Sequence, residues 1–340
     1  MTSSLDFTAV SEWIAGLGIG AVSPLTFERV GNGQSNLTYA VQDAGGSRWV
    51  LRRPPLGHLL ASAHDVLREY RILTALQNTG VPVPRMIAAT DDVTVSDVPV
   101  VLMSHVDGVV VDSVVKAEDM TEPLRSAVGD AMTSALAGIH RVDLESVGLL
   151  DLASHSPYAA RQLKRWRTQW QKSQAREVPA IDALADRLAA NVPEQTELAL
   201  VHGDFHLNNV ITSEANGSIV AVIDWELCTL GDPLADLGGL LAYWPEASDA
   251  VAGPFMASTL PGFPTRAELT AAYAAKTGRD VSAAGFWQVL ALWKLSIIAE
   301  GVMRRAESDA RNRAGAGSPT TTLIDDIVAR ATSTADDIGI

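Results

Sequence analysis

The chain has 340 residues, 47% of them hydrophobic and 19% charged, enough apolar material for two ordinary domains or one large one and too much for a disordered chain. A net charge of −14 argues against general nucleic-acid binding, and the single cysteine, Cys228, excludes an internal disulfide or a cysteine-based metal cluster and suits a reducing cytoplasm. No apolar run is read as reaching the ~18 to 20 residues of a membrane span, and the opening MTSSLDFTAVSEW lacks a basic lead-in to an apolar segment, so no signal peptide is expected.

From the N-terminus, residues 27–53 read as three strands: FERV leads into GNGQSN, LTYAVQ into DAGGS, and RWVLRR follows, with Gly45-Gly46 as a hairpin signal. Residues 62–79 carry Val66, Tyr70, Leu73 and Leu76 at helical spacing, and Gly80, Pro82 and Pro84 end that helix. DVPVVLMSHVDG, 97–108, predicts another strand running into a turn. Beyond 108 the pattern turns helical over 121–141, 157–191, 233–244, 265–276, 282–308 and 319–335, with one strand pair inside 200–224 and a loop at 311–320. The expected class is α+β. A small antiparallel-sheet lobe with one helix spans 1–105, a mostly helical lobe spans 106–340, and a hinge lies near 104–108.

Polar residues collect at the ends of the strand pair. In LVHGDFHLNNVITSEANGSIVAVIDWE, 200–226, the apolar segments NVIT and SIVAVI flank SEANG, whose Asn216-Gly217 is a strong turn dipeptide. Antiparallel pairing about that turn sets Asn209 roughly opposite residue 222, which brings Asn209 and Asp224 to one open end. Both offer the oxygen ligands that a hard cation such as Mg²⁺ takes. Asp204 lies five residues before Asn209, where a carboxylate can accept or orient a hydroxyl proton, and Gly203 permits the tight backbone before it. D-x-x-x-x-N followed by an aspartate after an apolar strand is the spacing of a kinase catalytic loop and its metal aspartate. A plain hairpin with solvated polar ends accounts for each residue singly but not for the set.

The N-terminal half offers an independent check. VGNGQSNLTY places Gly31, Gly33 and Ser35 between two strands, where backbone amides can approach phosphates. Glu69 sits on the apolar stripe of its helix, and an inward carboxylate needs a partner; Arg52, at the end of the third strand, is the nearest in sequence. With the hinge residues Ser104, His105 and Val106, these are the candidate nucleotide contacts. Other polar and aromatic residues take structural readings. His140 is a helix-end histidine bonded to backbone, His206 a structural member of the loop, Trp166 and Trp170 the packing face of one helix, and Trp244, Trp287 and Trp293 core with some at an acceptor pocket. Asp232 and Asp236 brace the loop by accepting backbone hydrogen bonds.

In this order of parts the chain resembles the aminoglycoside phosphotransferase and choline kinase superfamily. LVHGDFHLNNVI, VIDWE and GDPLADLGGLL carry the likeness, which covers roughly residues 25–300. WVLRRPP, REYRIL, VPVPR and ARQLKRWRTQW fit the branch of kinase-like domains that in some proteins are fused to acyl-CoA dehydrogenases. The resemblance implies a bilobal protein-kinase-like fold and Mg²⁺–ATP, or GTP, as phosphoryl donor. It gives Asp204 the catalytic-base role, Asn209 and Asp224 the metal, and Arg52 with Glu69 the phosphates. Three positions depart from the protein-kinase pattern: Arg52 replaces a lysine, Asn36 the third glycine, and Trp225-Glu226 the usual Phe-Gly. Only eleven residues separate Asp224 from Asp236, which leaves no room for a long activation segment, so a small-molecule hydroxyl is the expected acceptor.

The leading expectation is therefore an ATP-dependent small-molecule O-phosphotransferase with no nucleic-acid or membrane partner. A hydrolase using Asp204 and His202 would lack a nucleophile elbow and leave Arg52 and Glu69 unexplained. A nucleotide-binding pseudokinase without transfer activity stays as the alternative: Asp204, Asn209 and Asp224 together argue against it, while Arg52 in place of the lysine keeps it open. The acceptor stays open. RQLKRWRTQWQKSQAR, 161–176, has six basic residues and no acidic one, which suits an anionic acceptor such as a hydroxyacyl group on coenzyme A. An aminoglycoside or a choline-like amino alcohol would instead want carboxylates. Arg161, Lys164, Arg165, Trp225 and Glu226 are the candidate acceptor contacts.

Overall fold

The computed structural model describes residues 5–30, 36–55, 65–153, 156–174, 176–249, 255–308 and 318–340. The chain forms two compact units, Met1–Asp107 with Val220–Glu226, and Gly108–Ile219 with Leu227–Ile340. The first division falls two residues beyond the expected boundary, and a short later segment, unanticipated from sequence, joins the first unit.

The first unit is built on a five-stranded antiparallel sheet in the order β1-β2-β3-β5-β4. Its strands are β1 (Thr26–Val30), β2 (Leu37–Gln42), β3 (Arg48–Arg53), β4 (Met86–Thr90) and β5 (Val100–Ser104). The β2–β3 register runs from Leu37↔Arg53 to Gln42↔Arg48. It is set by the Gly45-Gly46 turn, where Gly46 adopts φ +87° and the Asp43 carboxylate accepts the Ser47 N–H at 2.7 Å. Alternation along β3 buries Trp49 and Leu51 on one face, where Val41, Val100 and Leu102 join Val10 and Ile14 of α1 (Phe7–Gly16). Arg52 has the opposite parity, and the helix α2 (Val66–Leu76), which packs on β4 and β5, meets it there. α2 starts at Asp65, whose carboxylate caps the Arg68 N–H at 2.9 Å. The sequence reading omitted α1 and β4.

The second unit is mostly helical: α3 (Val114–Glu118), α4 (Glu122–Ile139), α5 (Tyr158–Ser173), α6 (Pro179–Ala190), α7 (Leu234–Ala242), α8 (Arg266–Thr277), α9 (Ala284–Ser308) and α10 (Thr321–Asp337). The helical pattern over 157–191 resolves into α5 and α6, because Pro179 starts a helix and disfavours the α conformation at Val178 before it. α9 packs against α5, α6, α7 and α10. Its stretch Ala284–Ala306 is long and apolar enough to span a membrane, with mean hydropathy 1.3, which corrects the expectation that no such run exists. Gln288, Lys294 and Glu300 interrupt the apolar letters and hid it, and 72% of it is buried inside the protein. The α7–α9 contact depends on Gly238: a Cβ there would stand 2.3 Å from the Trp287 carbonyl carbon.

Short strands frame the loop around residue 204. β6 (Ala199–Val201) pairs antiparallel with β9 (Thr229–Gly231), and β7 (Val210–Thr212) bridges to Val109. Beyond β7 the expected turn is present: Gly217 has φ +72°, and Ser218 N–H donates to Asn216 Oδ1 at 3.0 Å. The chain then enters β8 (Ile219–Val222).

Candidate active site

In the first unit three carboxylates converge on Arg52. Its guanidinium lies 2.7 Å from Glu69, 2.5 Å from Asp224 and 4.0 Å from Glu226. Glu69, only 3% exposed, also accepts the Trp225 N–H at 3.3 Å. Asp224 is a non-glycine residue at φ +64°, a conformation that costs on the order of 1 kcal/mol or more and persists only where its surroundings enforce it. Trp225 supplies that enforcement. It is fully buried, its indole N–H donates to the Val222 carbonyl at 2.9 Å, and Val222 N–H donates to Pro82 O at 2.8 Å.

With all three acids ionised the cluster carries two surplus negative charges. Burial pushes the Glu69 carboxyl up to about 7, Arg52 opposes the rise, and Asp224 and Glu226 reinforce it. Surplus charge on oxygen ligands suits a divalent hard cation. Arg52 Nε–H is buried with no partner among the described residues, the donor a phosphate oxygen would fill. The residues present therefore fit both groups. Glu226 also accepts from Asn36 Nδ2 at 3.2 Å.

In the second unit Asp204 is the centre of a separate network. His206 Nε2 stands 3.4 Å from its carboxylate and Asn209 Nδ2 3.1 Å. Asn208 N–H lies 3.3 Å from His206 Nδ1, and the ring turns Nε2 toward Asp204. Tyr243 also hydrogen-bonds Asp204, and burial together with that carboxylate pushes the phenol well above its usual range. Burial alone would raise the Asp204 pKa; the hydrogen bond and charge of His206, with Lys294 and His202, outweigh it and bring the group down to about 2. Asn209 Nδ2 donates again to the Asp204 carbonyl at 2.8 Å. Both partners are acceptors, so the amide orientation is fixed and Oδ1 is left for another ligand.

The backbone of this loop is held from below. Asp236, 2% exposed, accepts the His202 N–H at 2.6 Å and the Gly203 N–H at 2.8 Å. His140 does not bond backbone as expected of a helix-end histidine: its Nε2 lies 3.3 Å from Asp236 and its Nδ1 2.7 Å from Tyr273 Oη. Gly203 has φ +84°, and a Cβ would stand 2.7 Å from the Leu227 carbonyl oxygen. Above the loop Asp204 opens into a pocket whose walls include Tyr158, Trp166, Tyr243, Trp287 and Lys294. Lys294 Nζ donates to Gly203 O at 3.3 Å and lies 5.5 Å from the Trp166 ring centroid. Burial lowers its pKa, and the charge of Asp204 opposes that fall.

A family profile described as "Phosphotransferase enzyme family" matches residues 26–269. The chain belongs to that phosphotransferase family. Mouse acyl-CoA dehydrogenase family member 10 is 33% identical over 310 residues, covering 90% of this chain and 29% of that protein, so the chain spans less than a third of that relative's length. A solved structure from Ralstonia eutropha, provisionally named an aminoglycoside phosphotransferase, is 29% identical with TM-score 0.77, covering 98% of this chain and 97% of that one. An aminoglycoside phosphotransferase in complex with ADP and hygromycin B, 19% identical with TM-score 0.58 over 97% of both chains, shares the protein-kinase-like fold.

Within this family member the candidate residues fall into distinct places. Arg52, Glu69 and Asp224 meet in the first unit, while Asp204 and Asn209 meet in the second. Gly31, Gly33 and Ser35 lie outside the described residues. At the strand end, Ser104 Oγ accepts the Arg85 N–H at 2.9 Å, His105 Nδ1 lies 3.6 Å from Asp107, and Val106 is half-buried. Trp225 and Glu226 belong to the Arg52 cluster. Arg161 donates to Leu230 O at 2.8 Å, while Lys164 and Arg165 are exposed. None of these three lines the pocket; the face of α5 that does is Tyr158, Gln162 and Trp166, four residues apart. Sequence reasoning missed Lys294 and Tyr243. The available signal was a lone lysine inside VLALWKLSII.

Proposed function

We propose that the chain is an ATP-dependent O-phosphotransferase that transfers the γ-phosphate to the hydroxyl of a small molecule. The observation that carries this reading is Asp204, an ionised carboxylate fixed by His206, Asn209 and Tyr243 at the opening of an aromatic pocket. A group held at about 2 is a weak proton sink before bond formation. Asp204 therefore orients the acceptor hydroxyl and takes its proton late, as the acceptor O–P bond forms and the bond from the γ-phosphorus to ADP breaks. A loose phosphoryl-transfer transition state asks for that order, because the nucleophile gains little positive charge early.

In the first unit Asp224 is a proposed oxygen donor to Mg²⁺ and Arg52 the phosphate cation; in the second, Asn209 offers an oxygen of the same kind. When bound, Mg²⁺ supplies charge neutralisation on the phosphates. Structures of this fold that hold ADP and GDP support a nucleoside triphosphate as donor. The test is transfer of label from γ-labelled ATP to a panel of alcohols spanning hydroxy acids, amino alcohols and aminoglycosides. Label should appear on an alcohol with the parent. In Asp204→Ala transfer should fall by ~10²- to 10⁴-fold while Mg²⁺–ATP still binds. Transfer at the parent rate in Asp204→Ala, or label released only as inorganic phosphate across the whole panel, sinks the proposal.

A further inference from the structure

The pocket beside Asp204 has an unbalanced inventory of donors and acceptors. Among the described residues Asp204 is its one carboxylate free to face a ligand, because both oxygens of Asp236 already accept backbone N–H groups. Donors are in excess. Lys294 carries three N–H bonds, of which one goes to Gly203 O. Trp287 is 2% exposed, and its indole N–H is buried without a partner among the described residues. Trp166 Nε1–H donates to Gln162 Oε1 at 3.1 Å, which fixes that amide and leaves its NH₂ group uncommitted to the pair. Orphaned buried donors are costly, so the matching ligand is one that supplies acceptor oxygens. A polycationic ligand would meet Lys294 with a single carboxylate to offset it.

Resting on the phosphotransferase reading, we infer that the acceptor carries an oxyanion close to its reacting hydroxyl, and that Lys294, assisted by Trp287 and Gln162, is the residue that selects it. The hydroxyl donates to Asp204 while the oxyanion accepts from the ammonium, so one ligand answers both charges of the pocket. Attachment of Lys294 to the Gly203 carbonyl ties the anchor to the residue next to Asp204, which fixes the spacing between the two ligand groups. The basic stretch on α5 is not needed for this: Arg161 is bonded to Leu230 O, and the exposed Arg165 contributes long-range charge that Lys294 senses.

Binding can be read without turnover. The full chain, labelled with ¹⁵N at tryptophan indoles, is titrated with 3-hydroxybutyrate, with glycerol 3-phosphate and with choline, following the Trp287 and Trp166 resonances. Parent protein should bind one or both oxyanions at least ~10-fold more tightly than choline, the two arms separating carboxylate from phosphate recognition. Lys294→Met should erase that preference, and Lys294→Arg should retain part of it. Folding of each variant is checked by Mg²⁺–ATP binding. Equal affinity of the parent for choline and both oxyanions overturns the inference, as does an unchanged preference in Lys294→Met. ADP formation in the same samples tests transfer separately, so a protein that binds oxyanions but never transfers phosphate refutes the function and leaves the site.

Discussion

Substituting Asp236 by asparagine probes how tightly the Asp204 loop is held. The side chain keeps its shape but loses its charge, and one acceptor oxygen becomes an NH₂ group. The carboxylate now accepts from His202 N–H at 2.6 Å and His140 Nε2 at 3.3 Å, both buried, and from the half-buried Gly203 N–H at 2.8 Å. An amide can satisfy only one side, so one backbone N–H meets a hydrogen. An orphaned buried donor costs about 1 to 3 kcal/mol, and the bonds that remain lose their charge assistance, about 1 kcal/mol more each. Asp236→Asn is thus expected to destabilise the second unit by about 3 to 5 kcal/mol. In urea, at a slope of ~3 kcal/mol/M, the midpoint falls by roughly 1 M. Tryptophan fluorescence is the assay, because Trp166, Trp170, Trp244, Trp287 and Trp293 all report from that unit. A midpoint within ~0.2 M of the parent would show that the loop is held by something other than Asp236.

Asp224→Ala should weaken nucleotide binding in Mg²⁺ far more than in EDTA, measured by calorimetry; equal losses in both would remove Asp224 from the metal. Glu69, held near 7 in the folded protein against a usual value of 4.5, binds a proton that the unfolded chain has already released, so the ligand-free protein should lose stability as pH rises from 4.5 to 7. Glu69→Gln should flatten that limb of a thermal-melt pH series, and an unchanged slope counts against the assignment. Gly203→Ala forces a Cβ against the Leu227 carbonyl at φ +84°, so it should destabilise by more than ~1 kcal/mol and depress transfer; a melting curve like the parent's would contradict the close approach.

The legible parts of the sequence were those with short-range signals. Gly45-Gly46 fixed the β2–β3 hairpin, and the spacing of Val66, Tyr70, Leu73 and Leu76 before Gly80 marked α2. The Arg52–Glu69 pair followed from an acid on an apolar helix face. β4 escaped because MIAAT has two alanines, weak strand formers, and follows a proline-rich segment. The acceptor pocket was illegible for a different reason. Its walls come from α5, α7, α9 and the Asp204 loop, distant in sequence, and Lys294 looks like an interruption of a core helix until α9 is seen to run past Gly203. The charge-dense face of α5 drew attention to Arg161, Lys164 and Arg165, whereas Gln162 and Trp166, on the neighbouring face, line the pocket.

Because Val220–Glu226 belongs with Met1–Asp107, the sheet-bearing unit is discontinuous in the chain. At translation speeds of ~5 to 20 residues per second, this unit waits on the order of ten seconds after its first 107 residues emerge before its last strand-end segment arrives. During that interval Arg52 and Glu69 can pair, but Asp224 and the Trp225 anchor are still missing. The charge cluster thus assembles only after residue 226 has been added, so a ribosome-stalled or truncated product ending before residue 220 lacks Asp224 and Glu226 beside Arg52.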